Sequence, residues 1–368
     1  MTEEIFNIQR KLASKDDLKI HPAELFEKLW DNESIKKALE KTKDMPKFKL
    51  DKIEIHPSGY CNMECPFCYG ANVAPKKRKD LPAKALENIL EDLNENMPED
   101  DIFIVLAGMY SEPLKNPEIN NFIAELGKYE SRFALYTNGL LMNNGLINAI
   151  TDSAKKTKSN KPSYVSFNVS ASLYSDRFYK DLLPIIKKSV ETKKKNKSPL
   201  QIVAPILAVD KKCYDYYYPI IEHLEETGVD NIRLSFPWKQ IEHEKNVGFL
   251  SKSNYQYSME IFKNLEQRFP DVTIRDPSAK PSSNCFVMAA SLSISPEGDV
   301  YPCPAVSSSK YKKKFSYGSI LDSKISDLWW SKNQKNLFSS LDPNIENCRC
   351  CPLDRKFNEL CNSYISQI

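Results

Sequence analysis

Three cysteines near the start of the chain, Cys61, Cys65 and Cys68, constrain this sequence more than any other feature. Their spacing, C-x3-C-x2-C, places three thiols in one short loop, with an aromatic residue just before the third. Three such thiolates can hold three irons of a cubane [4Fe–4S] cluster. The fourth iron then has no protein ligand, and an open coordination position invites a small molecule, as it does in catalytic zinc sites.

The bulk composition narrows the classes of protein further. The chain has 368 residues, 41% of them hydrophobic and 27% charged, which predicts a soluble globular protein with a large core. A net charge of +3 gives no electrostatic reason to expect nucleic acid or an anionic membrane as a partner. We find neither a signal peptide nor a membrane-spanning run, and therefore expect a cytoplasmic location. In a reducing compartment, ten cysteines indicate metal or redox ligands rather than disulfides.

Hydrophobic periodicity predicts six strands, each followed by a helix except the last. This alternation predicts parallel βα units with right-handed crossovers, two units short of a full eightfold barrel. Functional side chains should therefore lie at the C-terminal ends of the strands. The predicted strands are 52–56, 102–107, 132–136, 164–169, 200–209 and 231–236.

The cysteine loop at the end of the first predicted strand resembles the cluster loop of the radical S-adenosylmethionine (SAM) superfamily. The resemblance implies an α/β fold, a partial (β/α)6 TIM-like barrel with a small α+β Cys-rich C-terminal domain. It also implies that a [4Fe–4S] cluster binds SAM, and that an electron arrives from a flavodoxin- or ferredoxin-type donor.

The same resemblance suggests which other residues bind SAM. Tyr110-Ser111-Glu112-Pro113, after the second strand, is similar to the family's Gly-Glu-Pro motif, whose backbone and Glu hold the SAM amino group. Ser111 stands where the family has Gly. Thr137-Asn138-Gly139, after the third strand, also resembles the family, although Asn-Gly marks many turns.

Residues farther along the barrel complete this set of expectations. Asn168 and Ser170, after the fourth strand, are candidates for the SAM carboxylate or ribose. Phe67 and Phe236 are candidates for the adenine, and Phe236 is equally interpretable as a core residue. Cys213, just past the fifth strand, could donate a hydrogen atom to a substrate radical, or could be a small residue at a helix start.

A second group of cysteines follows a polar connector. An apolar hairpin between Ser291 and Cys303 turns at Pro-Glu-Gly-Asp, and this region resembles the SPASM/Twitch extension of radical SAM enzymes. We predict one auxiliary [4Fe–4S] cluster; a zinc site or a purely structural staple are the alternatives. The predicted ligands are Cys285, Cys303, Cys348 and Cys351, with Cys350 or Cys361 as substitutes.

The predicted organisation has four parts: a helical extension (1–50), the barrel (51–245), a connector (246–284) and the auxiliary-cluster domain (285–368). The expected activity is reductive cleavage of SAM and abstraction of a substrate hydrogen atom. We expect oxidation or epimerisation of a small polar metabolite, such as a sugar or aminocyclitol, because one auxiliary cluster is predicted and the N-terminal extension lacks the pattern of a peptide-binding module. Maturation of a ribosomally made peptide is the enzymatic alternative, and an iron–sulfur electron carrier or zinc protein is the non-enzymatic one.

Overall fold

A computed structural model describes most of the barrel region and part of the C-terminal region. The described residues are 50–65, 68, 78–98, 101–108, 110–173, 177–207, 214–235, 264, 267–268, 273–274, 291–304, 315–329 and 331–334. Several predictions concern residues outside this set. They are the extension 1–49, most of the connector, Phe67, Cys213, Phe236, Cys285, Cys348, Cys350, Cys351 and Cys361.

The six predicted strands are present in the described residues and pair in parallel, in the order β1-β2-β3-β4-β5-β6. This arrangement confirms the α/β partial barrel. The strands are β1 (Lys52–Ile55), β2 (Phe103–Leu106), β3 (Phe133–Thr137), β4 (Tyr164–Phe167), β5 (Gln201–Leu207) and β6 (Asn231–Ser235).

Helices follow the strands and cover their outer face. The apolar residues of each helix recur at helical spacing, so one face of the helix can pack on the sheet. The main helices are α1 (Ala83–Asn96), α2 (Ile119–Lys128), α3 (Asn144–Lys155), α4 (Val169–Leu173), α5 (Leu183–Lys195) and α6 (Tyr214–Thr227). A 3₁₀ turn (Pro113–Lys115) follows β2, and a π-helical turn (Phe178–Leu182) precedes α5.

Alternation along the strands sorts the side chains onto two faces. Ile53, Leu106 and Ile232 belong to the large core shared with the helices. On the other face, Val105, Ala107 and Ala134 form a smaller apolar cluster inside the barrel. Phe103, Tyr136 and Tyr164 pack against this cluster, so the inner face carries both small apolar and aromatic side chains.

The predicted fourth strand, 164–169, was too long. β4 ends at Phe167, and Val169 and Ser170 already belong to helix α4. Val169 is fully buried in the core, so a helix start satisfies the same apolar requirement as a longer strand.

The sheet also extends beyond the barrel. The predicted hairpin consists of β8 (Ser291–Ile294) and β9 (Asp299–Tyr301), and β10 (Gly318–Ser319) pairs with β9. Unexpectedly, β8 pairs in parallel with β1, with Glu54 opposite Ser293. A two-residue strand, β7 (Thr273–Ile274), extends the other side at β6. Two segments outside the predicted barrel therefore flank it.

Within the described residues, no helix combines the length and the apolar character needed to cross a bilayer.

A second contact joins the hairpin region to the barrel. The buried Asp92 of α1 accepts hydrogen bonds from the Ser326 backbone N (2.8 Å) and Oγ (2.7 Å). Ser326 lies in the short helix α7 (Ile325–Leu328). Asp92 therefore satisfies the N-terminal donors of α7 from a different part of the chain.

We expect Asp92→Ala to lower the free energy of unfolding by about 2 kcal/mol, because it leaves a partly buried N–H without its acceptor. Glu91→Ala, at the exposed neighbouring position, should change it by less than about 0.5 kcal/mol. Denaturant unfolding of the two variants checks this. Equal effects would contradict the role given to Asp92.

Candidate functional site

The loop after β1 carries Cys61, Cys65 and Cys68 as free, half-buried thiols. The Cys68 backbone N donates to the Cys65 carbonyl O (3.0 Å), which turns the chain between these two residues. Burial, together with the neighbouring Cys68 and Cys61, raises the pKa of the Cys65 thiol to about 12. A bound cation would reverse this effect and favour the thiolates.

The donor set fits an iron–sulfur cluster better than a single metal ion. Among the described residues, no three Cys, His, Asp or Glu side chains converge as ligands of one ion. A cubane cluster does not require such convergence, since each thiolate binds a different iron at a different corner. The three thiols of this loop are therefore suitable ligands for a [4Fe–4S] cluster.

Glu112 lies after β2, beside this loop, and its carboxylate is almost fully buried. Oε1 accepts from Thr137 Oγ1 (2.5 Å) and from the Leu114 backbone N (3.2 Å). Oε2 accepts from the Asn138 backbone N (2.8 Å). Burial raises the pKa of Glu112 to about 7, and the three hydrogen bonds oppose this shift.

The cysteine loop is fixed to the same strand ends. The Glu112 backbone N donates to the Tyr60 carbonyl O (2.8 Å). Asn138 Nδ2 donates to Asn62 Oδ1 (3.0 Å). Tyr60 and Asn62 flank Cys61, so the ends of β2 and β3 both hold the first cysteine in place.

Ser111 stands where the resembling family has Gly, and the backbone of this turn shows where a glycine is required. A Cβ at Gly108 would lie only 1.8 Å from the Ser111 carbonyl O, so the close backbone approach of this turn falls on Gly108. Ser111 Oγ is buried and has no hydrogen-bond partner in the described part of the chain. Tyr110 is also buried, which raises the pKa of its hydroxyl and keeps it neutral.

The two candidates after β4 lie in different environments. Asn168 is exposed at the strand end, and its backbone N donates to the Thr137 carbonyl O (2.7 Å). Ser170 is fully buried within α4. Their spacing therefore places Asn168, but not Ser170, where a ligand could reach it without rearrangement.

Cys303 is the one proposed auxiliary-cluster ligand among the described residues. It is half-buried and lies two residues past β9. The other proposed ligands, like Phe67, Phe236 and Cys213, fall outside the described residues and stay predictions.

Sequence reasoning missed His56, at the end of β1. The carbonyl O of Ala107 only accepts, so His56 Nδ1 donates to it (3.1 Å). Burial lowers the pKa of His56, and the neutral ring accepts at Nε2 from Ser293 Oγ (3.2 Å). His56 thus connects β1, β2 and β8. A single histidine outside any motif gives no signal in the sequence. Its role depends on the pairing of β8 with β1, which the sequence did not predict.

The comparisons with known proteins agree with this architecture. Residues 285–352 match the SPASM model, described as an iron–sulfur cluster-binding domain. No curated protein sequence matches the chain.

Two solved structures of SuiB from Streptococcus suis share the fold. The structure bound to S-adenosylmethionine has 16% identity and a TM-score of 0.60, over 92% of this chain and 78% of SuiB. The structure bound to the precursor peptide SuiA has 16% identity and a TM-score of 0.60, over 96% of this chain and 81% of SuiB. At this identity the likeness establishes the fold.

The partial barrel is the α/β fold that this chain shares with the SuiB structures, and its thiol loop has the C-x3-C-x2-C spacing that resembles radical SAM cluster loops. The match at 285–352 then identifies this part of the chain as a SPASM iron–sulfur cluster-binding domain, as the resemblance of the second cysteine group predicted. It favours the predicted iron–sulfur domain over the zinc alternative.

The buried Glu112 should make stability depend on pH. Its pKa of about 7 in the folded chain exceeds the ordinary 4.5, so the folded state binds a proton that the unfolded state releases between these values. The stabilisation that protonated Glu112 provides is complete below pH 4.5, the pKa of the unfolded chain. It is lost as the pH rises through about 7, the pKa of the folded chain.

Between about pH 5.5 and pH 7.5, the cluster-free chain should lose about 2 kcal/mol of unfolding free energy that Glu112→Gln does not lose. Denaturant unfolding at both pH values measures the difference. Glu91→Gln, at an exposed position, is the control and should follow the wild type. If the Glu112→Gln and wild-type curves run parallel, the assigned pKa is wrong.

Proposed function

We propose that this protein cleaves SAM reductively and uses the resulting 5′-deoxyadenosyl radical to remove a hydrogen atom from its substrate. The observation that carries the proposal is the position of Glu112. Its backbone is bonded to Tyr60 of the cysteine loop, and its carboxylate is held by Thr137 and Asn138. A ligand bound at the loop would meet this carboxylate.

The chain's own residues bind and orient. The chemistry that a [4Fe–4S] cluster supplies when bound at Cys61, Cys65 and Cys68 is the electron for SAM cleavage. Among the described residues, Glu112 Oε2 accepts one hydrogen bond, from the Asn138 backbone N, which leaves capacity for the SAM ammonium group. The ammonium charge would favour the ionised form of this buried carboxylate.

Peptide maturation is the substrate reading that the comparisons support better. The SuiB structure with a precursor peptide aligns with 96% of this chain. The sequence-based preference for a small polar metabolite depended on a single auxiliary cluster and on residues 1–50, nearly all of which lie outside the described residues. Oxidation or epimerisation of such a metabolite remains the second candidate, because the inner barrel face carries polar groups such as His56 and Ser293.

A flavodoxin- or ferredoxin-type protein would provide the electron, and the SPASM domain would hold one auxiliary cluster. Cys213 remains the proposed hydrogen-atom donor if the reaction is an epimerisation.

Anaerobically reconstituted protein with dithionite and SAM should form 5′-deoxyadenosine and contain about eight irons per chain, four for each cluster. Replacing Cys61, Cys65 and Cys68 together with Ala should abolish 5′-deoxyadenosine and remove about half of the iron. Chromatography and iron analysis measure both quantities.

Cys303→Ala is the matched variant in the other domain. It should lower the iron content while 5′-deoxyadenosine still forms. Product from the triple variant would refute the site, and about four irons in the wild type would refute the auxiliary cluster.

The substrate is identified by deuterium transfer into 5′-deoxyadenosine. A deuterated peptide encoded beside the gene should transfer its label if the protein is a peptide maturase. Transfer from a deuterated aminocyclitol or sugar, and none from the peptide, would favour the second candidate.

A further inference from the structure

The inner face of the barrel carries a charged residue on β6. Ile232 and Leu234 are buried in the core shared with the helices. Because side chains alternate along a strand, Arg233 between them lies on the inner face. Arg233 is half-buried and has no hydrogen bond or ion pair to any residue that the structure describes.

Two other arginines of the barrel have partners. Arg132 Nε donates to the Pro162 carbonyl O and its guanidinium stacks on Phe103. Arg177 forms an ion pair with Asp181 at 2.5 Å. Partial burial of a charged guanidinium without a partner raises the free energy of the folded state. The lack of a described partner for Arg233 therefore indicates a ligand.

A second unsatisfied group lies on the same face. Ser166 of β4 alternates with Val165 and Phe167, which belong to the outer core. Ser166 is 1% exposed, and its Oγ has no hydrogen-bond partner within the described ranges. A buried hydroxyl is normally satisfied, so this group also points to a missing partner.

The strand register brings the two groups near each other. Ser166 pairs with Val203 of β5, and Val203 pairs with Asn231 of β6. Arg233 is two residues farther along β6, toward the C-terminal strand ends. Only one strand separates β4 from β6, so their backbones are about 10 Å apart, and the long arginine side chain spans much of this gap.

Two tyrosines lie on the same inner face. Tyr136 of β3 and Tyr164 of β4 are half-buried and join their hydroxyl groups at 2.7 Å. Burial raises the pKa of Tyr164 and keeps it neutral, and the Arg233 charge opposes this shift. The charge of Arg233 therefore acts within the barrel, near the tyrosine pair.

We propose that Arg233 and Ser166 form a subsite for a carboxylate group of the substrate. A planar guanidinium with two free N–H groups matches the two oxygens of a carboxylate, and a serine hydroxyl can add a third hydrogen bond. β6 lies five strands from the cysteine loop's β1 in the sheet, but the SAM candidates Asn168 and Phe236 follow β4 and β6, so SAM is tested as a probe beside the acids. The assignment to substrate rests on the proposed function.

The carboxylate can come from a small acid or from an acidic side chain of a peptide. Labelling with phenylglyoxal, which modifies free guanidinium groups, distinguishes these sources without requiring turnover. The reconstituted full chain is labelled anaerobically, alone or with a probe, and Arg233 is quantified by peptide mass spectrometry. The probes are succinate, its diamide succinamide, a blocked Gly-Asp-Gly peptide, its Gly-Asn-Gly counterpart, and SAM.

We expect succinate or the Asp peptide to slow labelling of Arg233 about tenfold at saturation, as for a charge-assisted hydrogen bond, and the amides to have little effect. Labelling of the exposed Arg268 should not change with any probe. Protection by succinate alone indicates a small acid, and protection by the Asp peptide indicates an acidic side chain. Protection by SAM alone, or equal protection by acids and amides, would overturn the proposal.

Ser166→Ala provides the matched variant. Its Oγ has no partner in the described structure, so its removal should leave the unfolding transition unchanged and weaken succinate protection severalfold. Unchanged protection would remove Ser166 from the subsite. Wild-type labelling tests Arg233 without any variant. If the wild-type protein forms no 5′-deoxyadenosine but carboxylates still protect Arg233 from labelling, the proposed function is contradicted and the subsite is not.

Discussion

The buried carboxylate of Glu112 is the interaction on which the rest of the candidate site depends. Burial alone would make it a neutral acid, because desolvation disfavours the charged form. Hydrogen bonds from Thr137, Asn138 and Leu114 oppose that tendency and leave its pKa at about 7. A group balanced in this way can change its charge when a cation arrives, and its position does not have to change.

The same hydrogen bonds align the strand ends. Glu112 follows β2, and its main bonding partners follow or end β3. The Thr137 carbonyl O accepts from the Asn168 backbone N after β4, and Tyr60 after β1 accepts from the Glu112 backbone N. The ends of four neighbouring strands are therefore connected through backbone and short side chains, which have few rotamers to lose. Such a site is held by the sheet and not by its loops alone.

Periodicity predicted the six barrel strands because each alternates a core-facing residue with an inner-face residue, as Ile53 and Glu54 do on β1. Periodicity failed at the end of β4, where the same apolar residue fits either a strand or a helix. Val169 is apolar and buried in either a strand or a helix, so the end of β4 could not be placed. The cysteines of the loop were proposed as ligands from their spacing, and this assignment stays a prediction.

The contacts of His56 and Asn62 were not predictable, because each depends on a partner that is distant in sequence. Ser293 is 237 residues from His56, and Asn138 is 76 residues from Asn62. No local pattern encodes the parallel pairing of β1 with β8. That pairing nevertheless has a consequence for the chemistry. β8 lies within the SPASM match. The hydrogen bond between the buried neutral His56 and Ser293 therefore connects β1, the strand before the cysteine loop, with the iron–sulfur domain. The two cysteine-bearing regions are therefore parts of one continuous sheet, and an ordered β1–β8 pair aligns the start of the cysteine loop with the hairpin that leads to Cys303.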